Sequence, residues 1–238
     1  MFNGKMKAVT FSYDDGITQD IRLIRLMDKY GIKATFNLCS GLLGRADKLE
    51  RGENFRTVSF VHPRQDEIKD IYKGHEVAVH TIDHKWLPGL SDGDAFIQVE
   101  KDRQVLSNLV GYDVIGMAYP CADSTDERIQ RLVRERTGVR YVRSVNSSWS
   151  FDIPKGDELY NFKPTIHQFE TNDEKTDSLI DEFLRLETDE PKLLYIWGHA
   201  FEFDIDPANW DRIEAILDKL GGHDDIFYGT NRECLLGE

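Results

Sequence analysis

Short apolar segments alternate with helix-period segments along the whole 238-residue chain, and no other feature constrains its fold as tightly. Strand-like runs fall at 6–12, 33–38, 76–80, 113–119, 139–144, 192–198 and 225–228. Apolar strands separated by helices demand a sheet covered by helices, which means an α/β domain on parallel strands. Helix starts are legible as capping-box spacings at Ser91 with Asp94, Ser124 with Glu127 and Thr171 with Glu174, and as Pro207 after Asp206. Phe96, Val99, Leu106 and Val110 form one helical stripe and Leu179, Ile180, Phe183 and Leu184 another, and both read as core. Two polar stretches, 39–62 and 145–162, break the rhythm and read as surface excursions. Neither an internal repeat nor a linker divides the chain. Residues 1–238 therefore read as one domain, a closed or nearly closed barrel of about seven strand–helix units, with its functional residues at the strand C-terminal ends.

Composition narrows the function. Asp plus Glu number 43 against 30 Lys plus Arg, a net charge of -13 with no basic cluster, so a surface that tracks nucleic-acid phosphates is excluded. Cys39, Cys121 and Cys234 are widely spaced and form no CxxC pair, which suggests a reducing compartment. No apolar run approaches membrane-spanning length, and the chain reaches an apolar strand within a few residues of Met1. A cytoplasmic protein with no membrane contact is the expectation.

The strand-end rule selects a small group of reactive residues. Asp14 and Asp15 close the run TFSYDDG, His80 and His84 bracket HTIDH, His199 closes LLYIWGH, and Tyr119, Pro120 and Cys121 follow DVIGMA. Asp-Asp-Gly by itself is a turn sequence, an HxxxH pair occurs on ordinary helices, and His75, His167 and His223 have no reading beyond the ordinary. Brought to one mouth, the group matches metal-assisted hydrolysis. Two imidazoles and a carboxylate make an open three-ligand site, a second carboxylate can take a proton from water, and a facing histidine can protonate a leaving group.

These residues resemble the polysaccharide deacetylase family, the NodB-type carbohydrate esterases. Thr10 to Gly16 is similar to the family's TFDDG run with Ser-Tyr inserted, Gly74-His75-Glu76 with His80 to His84 to its second motif, and Leu194 to His199 to its last. Ala118 to Cys121 is a loose match to R-x-P-Y. The resemblance implies a distorted (β/α)7 barrel that removes an N- or O-acetyl group from a sugar. It implies Asp14 as base, His199 as acid, and Asp15, His80 and His84 as ligands of a divalent ion, zinc first, with cobalt, nickel or manganese as alternatives. The N–H of Cys121 takes the position that assists the oxyanion.

Several departures matter. Ala118 stands where the family has an arginine that contacts the base, and Arg143 on the next strand is the candidate replacement. Cys121 replaces a tyrosine and reads as a small buried thiol more readily than as a ligand. The fourth motif has no clean match, which leaves Trp149 as a candidate acyl wall and Tyr13, Tyr119 and Pro120 as candidate pocket residues. The expected partner is an acetylated sugar or oligosaccharide. Two other readings stay open at this point: the same chemistry on a non-sugar amide, formamide or ureide, and a catalytically silent carbohydrate-binding barrel.

Overall fold

The computed structural model describes residues 2–51, 56–121, 126–169 and 173–238. Each apolar run becomes a strand close to its expected place, and the polar-faced segments between them become helices. In chain order these are Lys7–Asp14 (β1), Asp20–Lys29 (α1), Ala34–Leu38 (β2), Ala46–Arg51 (β3), Arg56–Val61 (β4), Ile68–Ile71 (α2), Glu76–Val79 (β5), Asp92–Val110 (α3) and Gly116–Ala118 (β6). The second half continues with Glu127–Arg136 (α4), Tyr141–Arg143 (β7), Ile166–His167 (β8), Asp173–Arg185 (α5), Lys192–His199 (β9), Glu202–Ile205 (α6), Ala208–Leu220 (α7), Ile226–Tyr228 (β10) and Asn231–Leu236 (α8).

The main sheet runs β7-β6-β5-β2-β1-β9-β8, parallel throughout. β1 pairs along its whole length with β9, while its other edge is shared, with β10 beside Lys7 to Val9 and β2 beside Phe11 to Tyr13. The two outer strands meet through the segment that enters β8. Phe162 donates its N–H to Val142 (3.1 Å) and accepts from Ser144 N–H (2.8 Å), so the curled ring of seven strands nearly closes. This is the distorted (β/α)7 barrel expected.

Two hydrophobic layers follow. The larger packs helices onto the outside of the sheet, with Phe11, Tyr13, Leu23, Met27, Phe36 and Phe203 among its members. The smaller, which includes Ala8, Tyr141, Phe162, Tyr195, Trp197 and Leu235, fills the interior. Contacts between strands that are not neighbours, such as Tyr141 of β7 with Glu76 of β5 at 2.9 Å, mark those side chains as crossing the ring.

Three expectations change. The segment 39–62 contains an antiparallel hairpin, β3 with β4, whose alternation of Leu49, Val58 and Phe60 with polar residues is a strand period. β8 has only two residues, too few for any period to register. The link from β7 to β8 carries, among the described residues, a 3-10 turn at Gly156–Tyr160 and no α-helix. Ser91 caps α3 as expected, accepting from Asp94 N–H at 3.2 Å. Ser124 and Thr171 lie outside the described residues, and the cap seen on α4 is Asp126, which accepts from Arg128 N–H at 2.9 Å. No helix among the described residues is long and apolar enough to cross a membrane.

Candidate active site

β1 ends on Asp14 because the next two residues leave extended geometry: Asp15 has φ 78° and Gly16 φ 65°. A Cβ on Gly16 would meet Leu38 Cγ at 2.7 Å, so the turn needs glycine for space as well as conformation. Thr81 (φ 66°), His84 (φ 55°) and Cys121 (φ 64°) share the left-handed region. Such strain collects where surrounding contacts dictate the backbone, and here it lies at the ends of β1, β5 and β6.

The turn splits the adjacent carboxylates. Asp15 Oδ1 lies 3.5 Å from His84 Nε2 and 3.7 Å from His80 Nε2. One ligand atom from each of Asp15, His80 and His84 falls within 4.8 Å of the others. His80 is buried, and its Nδ1–H donates to Ala118 O at 2.9 Å, which leaves Nε2 as a lone pair. That Nε2 is buried with no hydrogen-bond partner among the described residues. A cation supplies what the orphaned nitrogen lacks, so this donor set fits a divalent metal. The His80 N–H donates to Leu38 O at 2.9 Å and, at 3.2 Å, to Asp102 of α3.

Asp14 faces the interior and is held differently. Arg143 Nη2 contacts both its oxygens at 2.5 Å, and Asn37 Nδ2 donates to Oδ1 at 2.9 Å. Burial pushes the Asp14 carboxyl up, yet the charges of Arg143, His80 and His199 and the Arg143 hydrogen bond leave it below its ordinary value. Arg143 is wholly buried, and its guanidinium carbon lies 4.1 Å from the centre of the Trp197 ring. Ala118 and Arg143 are register partners on β6 and β7. The cation missing at Ala118 therefore arrives at the same height from one strand over.

His199 is the register partner of Asp14, on β9. Its Nδ1 sits 3.3 Å from Glu202 Oε1, off the line of a good hydrogen bond, so the contact is an ion pair. Burial alone would push the imidazole down, but Glu202 together with the charges of Asp15 and Asp14 carries it up to about 9. At neutral pH the mouth holds an ionised Asp14 and a protonated His199.

The remaining candidates spread. Tyr13 is fully buried between Phe11, Phe36 and Phe203, so it packs the core and has no free face for a ligand. Tyr119 is also buried, with its hydroxyl spent on Tyr160 O at 3.0 Å, and Pro120 beside it is buried. Trp149 is exposed, and Lys175 Nζ at the start of α5 lies 4.1 Å from the centre of its ring. Cys121 is exposed, not buried, with Sγ 3.9 Å from His84 Nδ1. Partial burial and the Asp15 charge push its thiol up, away from the thiolate a metal prefers. Asn37, Trp197 and Glu202 were missed. A polar residue inside ATFNL was the signal for Asn37, and an acid three residues after a strand-end histidine the signal for Glu202.

Residues 3–142, more than half of the chain, match the profile of the family described as polysaccharide deacetylase. Among solved structures, similarity extends to the Xyl-CE4 domain of a multidomain xylanase from the hindgut metagenome of Trinervitermes trinervoides, at 15% identity and TM-score 0.59, over 97% of this chain and 90% of that one. It extends to peptidoglycan deacetylase PdaC of Bacillus subtilis, at 19% identity and TM-score 0.55, over 96% and 90%. A family 4 carbohydrate esterase of Streptomyces lividans is similar at 16% identity and TM-score 0.55, over 95% and 92%. Likeness at these identities bears on the fold. No curated protein matches the sequence at a significant level.

Proposed function

The chain belongs to the polysaccharide deacetylase family, and from that premise we propose that it is a metal-dependent hydrolase that removes an acetyl group from a sugar, with Asp14 as base and His199 as acid. The observation that carries the reading is the orphaned Nε2 of His80, aimed with His84 and Asp15 at one point beside a separately held Asp14. A divalent ion held by Asp15, His80 and His84 would polarise water and the acyl oxygen.

The rest falls to the protein. Asp14 takes the proton of the attacking water, and Arg143 and Asn37 keep its carboxylate aimed and ionised. The backbone N–H of Cys121 is assigned to the negative charge that develops on the acyl oxygen. His199 gives its proton to the leaving nitrogen or oxygen as the bond to the acyl carbon breaks. The non-sugar amide reading rests on two departures, the third-motif arginine and the fourth motif; Arg143 beside Asp14 removes the first, and the second still stands.

Acetate release from acetylated chito- and xylo-oligosaccharides, measured with metal-loaded and chelated protein, tests the proposal. Release confined to loaded protein is expected. Turnover of linear or cyclic amides with none of the sugars would sink the carbohydrate assignment.

A further inference from the structure

Beside Glu202, the ion-pair partner of His199, lie two side chains with no role assigned above, His167 and Gln168. We propose that Glu202, held in place by His167 and Gln168, is the positioning group of the general acid: it fixes the His199 ring with a proton on Nδ1 and so presents the Nε2 proton to the leaving group. The inference rests on the assignment of His199 as acid.

Glu202 opens α6, three residues beyond His199, and uses its two oxygens differently. Oε1 faces His199 Nδ1 at 3.3 Å. Oε2 accepts from Gln168 Nε2 at 2.7 Å and lies 3.4 Å from both His167 Nε2 and the His199 N–H. The tautomer of His167 follows from its other nitrogen, because Nδ1 accepts the Phe169 N–H at 3.1 Å. On the neutral ring the proton is then on Nε2, pointing at Glu202. The same tautomer argues against a second metal here, although ligand atoms of His167, His199 and Glu202 lie within 4.8 Å of one another. Gln168 reaches Glu202 by crossing Gly198, where a Cβ would meet Gln168 Cδ at 2.3 Å, and its Nε2 also donates to His199 O at 3.0 Å. Thus β8 and α6 grip the acid from two sides.

The proton inventory closes. As the C–N bond breaks, its electron pair stays on nitrogen and the Nε2 proton joins it. His199 is left neutral with its proton on Nδ1, facing the Glu202 carboxylate.

A group that acts only through the acid matters only where the leaving group needs a proton. The test compares tetra-N-acetylchitotetraose or an O-acetylated xylo-oligosaccharide, whichever the wild type hydrolyses, with 4-nitrophenyl acetate, whose phenolate leaves unaided. Glu202→Gln is expected to lower kcat on the sugar about 10- to 100-fold and on the aryl acetate less than about 3-fold. His167→Asn shows the same selectivity with a smaller loss, and it decides the matter alone if circular dichroism finds Glu202→Gln unfolded. Equal losses on both substrates, or no loss on the sugar, overturn the positioning role while leaving the deacetylase reading intact. A wild type that hydrolyses neither substrate overturns that reading and the positioning role with it.

Discussion

Asp14 and Asp15 are adjacent in sequence, but one left-handed residue sends them to different partners: Asp15 to the two histidines, Asp14 to Arg143 and Asn37. Replacing Asp14 with Asn should lower acetate release about 10²- to 10⁴-fold with little change in fold. Arg143→Met leaves a buried carboxylate without its cation, which costs about 3–5 kcal/mol in a denaturant melt. The folded Asp14 sits below its ordinary value, so its ionised form stabilises the protein above the unfolded value and that stability is lost as pH falls through the folded one. Without Arg143, burial dominates, and the acidic limb of the activity profile should move toward neutral pH; an unmoved limb would mean that Arg143 does not set the state of Asp14. Asp14, Asp15, His80, His84 and His199 were legible because strand ends are. Asn37 left only the faint signal of a polar residue in a strand that reads as core, and His167 and Gln168 left none, since β8 is too short to notice and Gln168 lies just past its end.

Among elements, the strands of the barrel were legible wherever an apolar run exceeded about four residues. β8 escaped notice at two residues, yet its last residue, His167, and the next one in the chain, Gln168, are the two holders of Glu202. The β3–β4 hairpin was hidden inside a polar segment. It borders the mouth through His62, whose Nδ1 is 3.1 Å from Gly16 O, and through Phe60, stacked edge-on against Phe201 at 5.7 Å. Gly198 tests how tightly β8 and β9 are coupled. Gly198→Ala should displace Gln168 and cost about 1–3 kcal/mol of stability, read as a lowered melting temperature, because the added methyl has no room. A variant as stable as the wild type would show that Gln168 can move aside freely.

At the scale of the molecule, the barrel brings acid and base to one rim by register, Asp14 opposite His199, and leaves the ligand histidines one strand beyond β2. That convergence was legible from strand order alone, whereas the closure through Phe162 and the interior polar contacts were not, since ring-crossing pairs have no sequence period. The raised His199 stabilises the metal-free protein fully below about pH 6.5, and that contribution disappears as pH climbs through about 9. A cation on Asp15 offsets part of the negative charge that raises it, so NMR should find His199 titrating near 9 without metal and lower with it. Identical titration in both states would place the cation elsewhere. The most direct test of the whole account pairs elemental analysis with acetate release on wild type, His80→Ala and His84→Ala. The account predicts about one divalent ion per chain and metal-dependent release for the wild type, with both lost in the variants. Undiminished release from protein that holds no metal would contradict it.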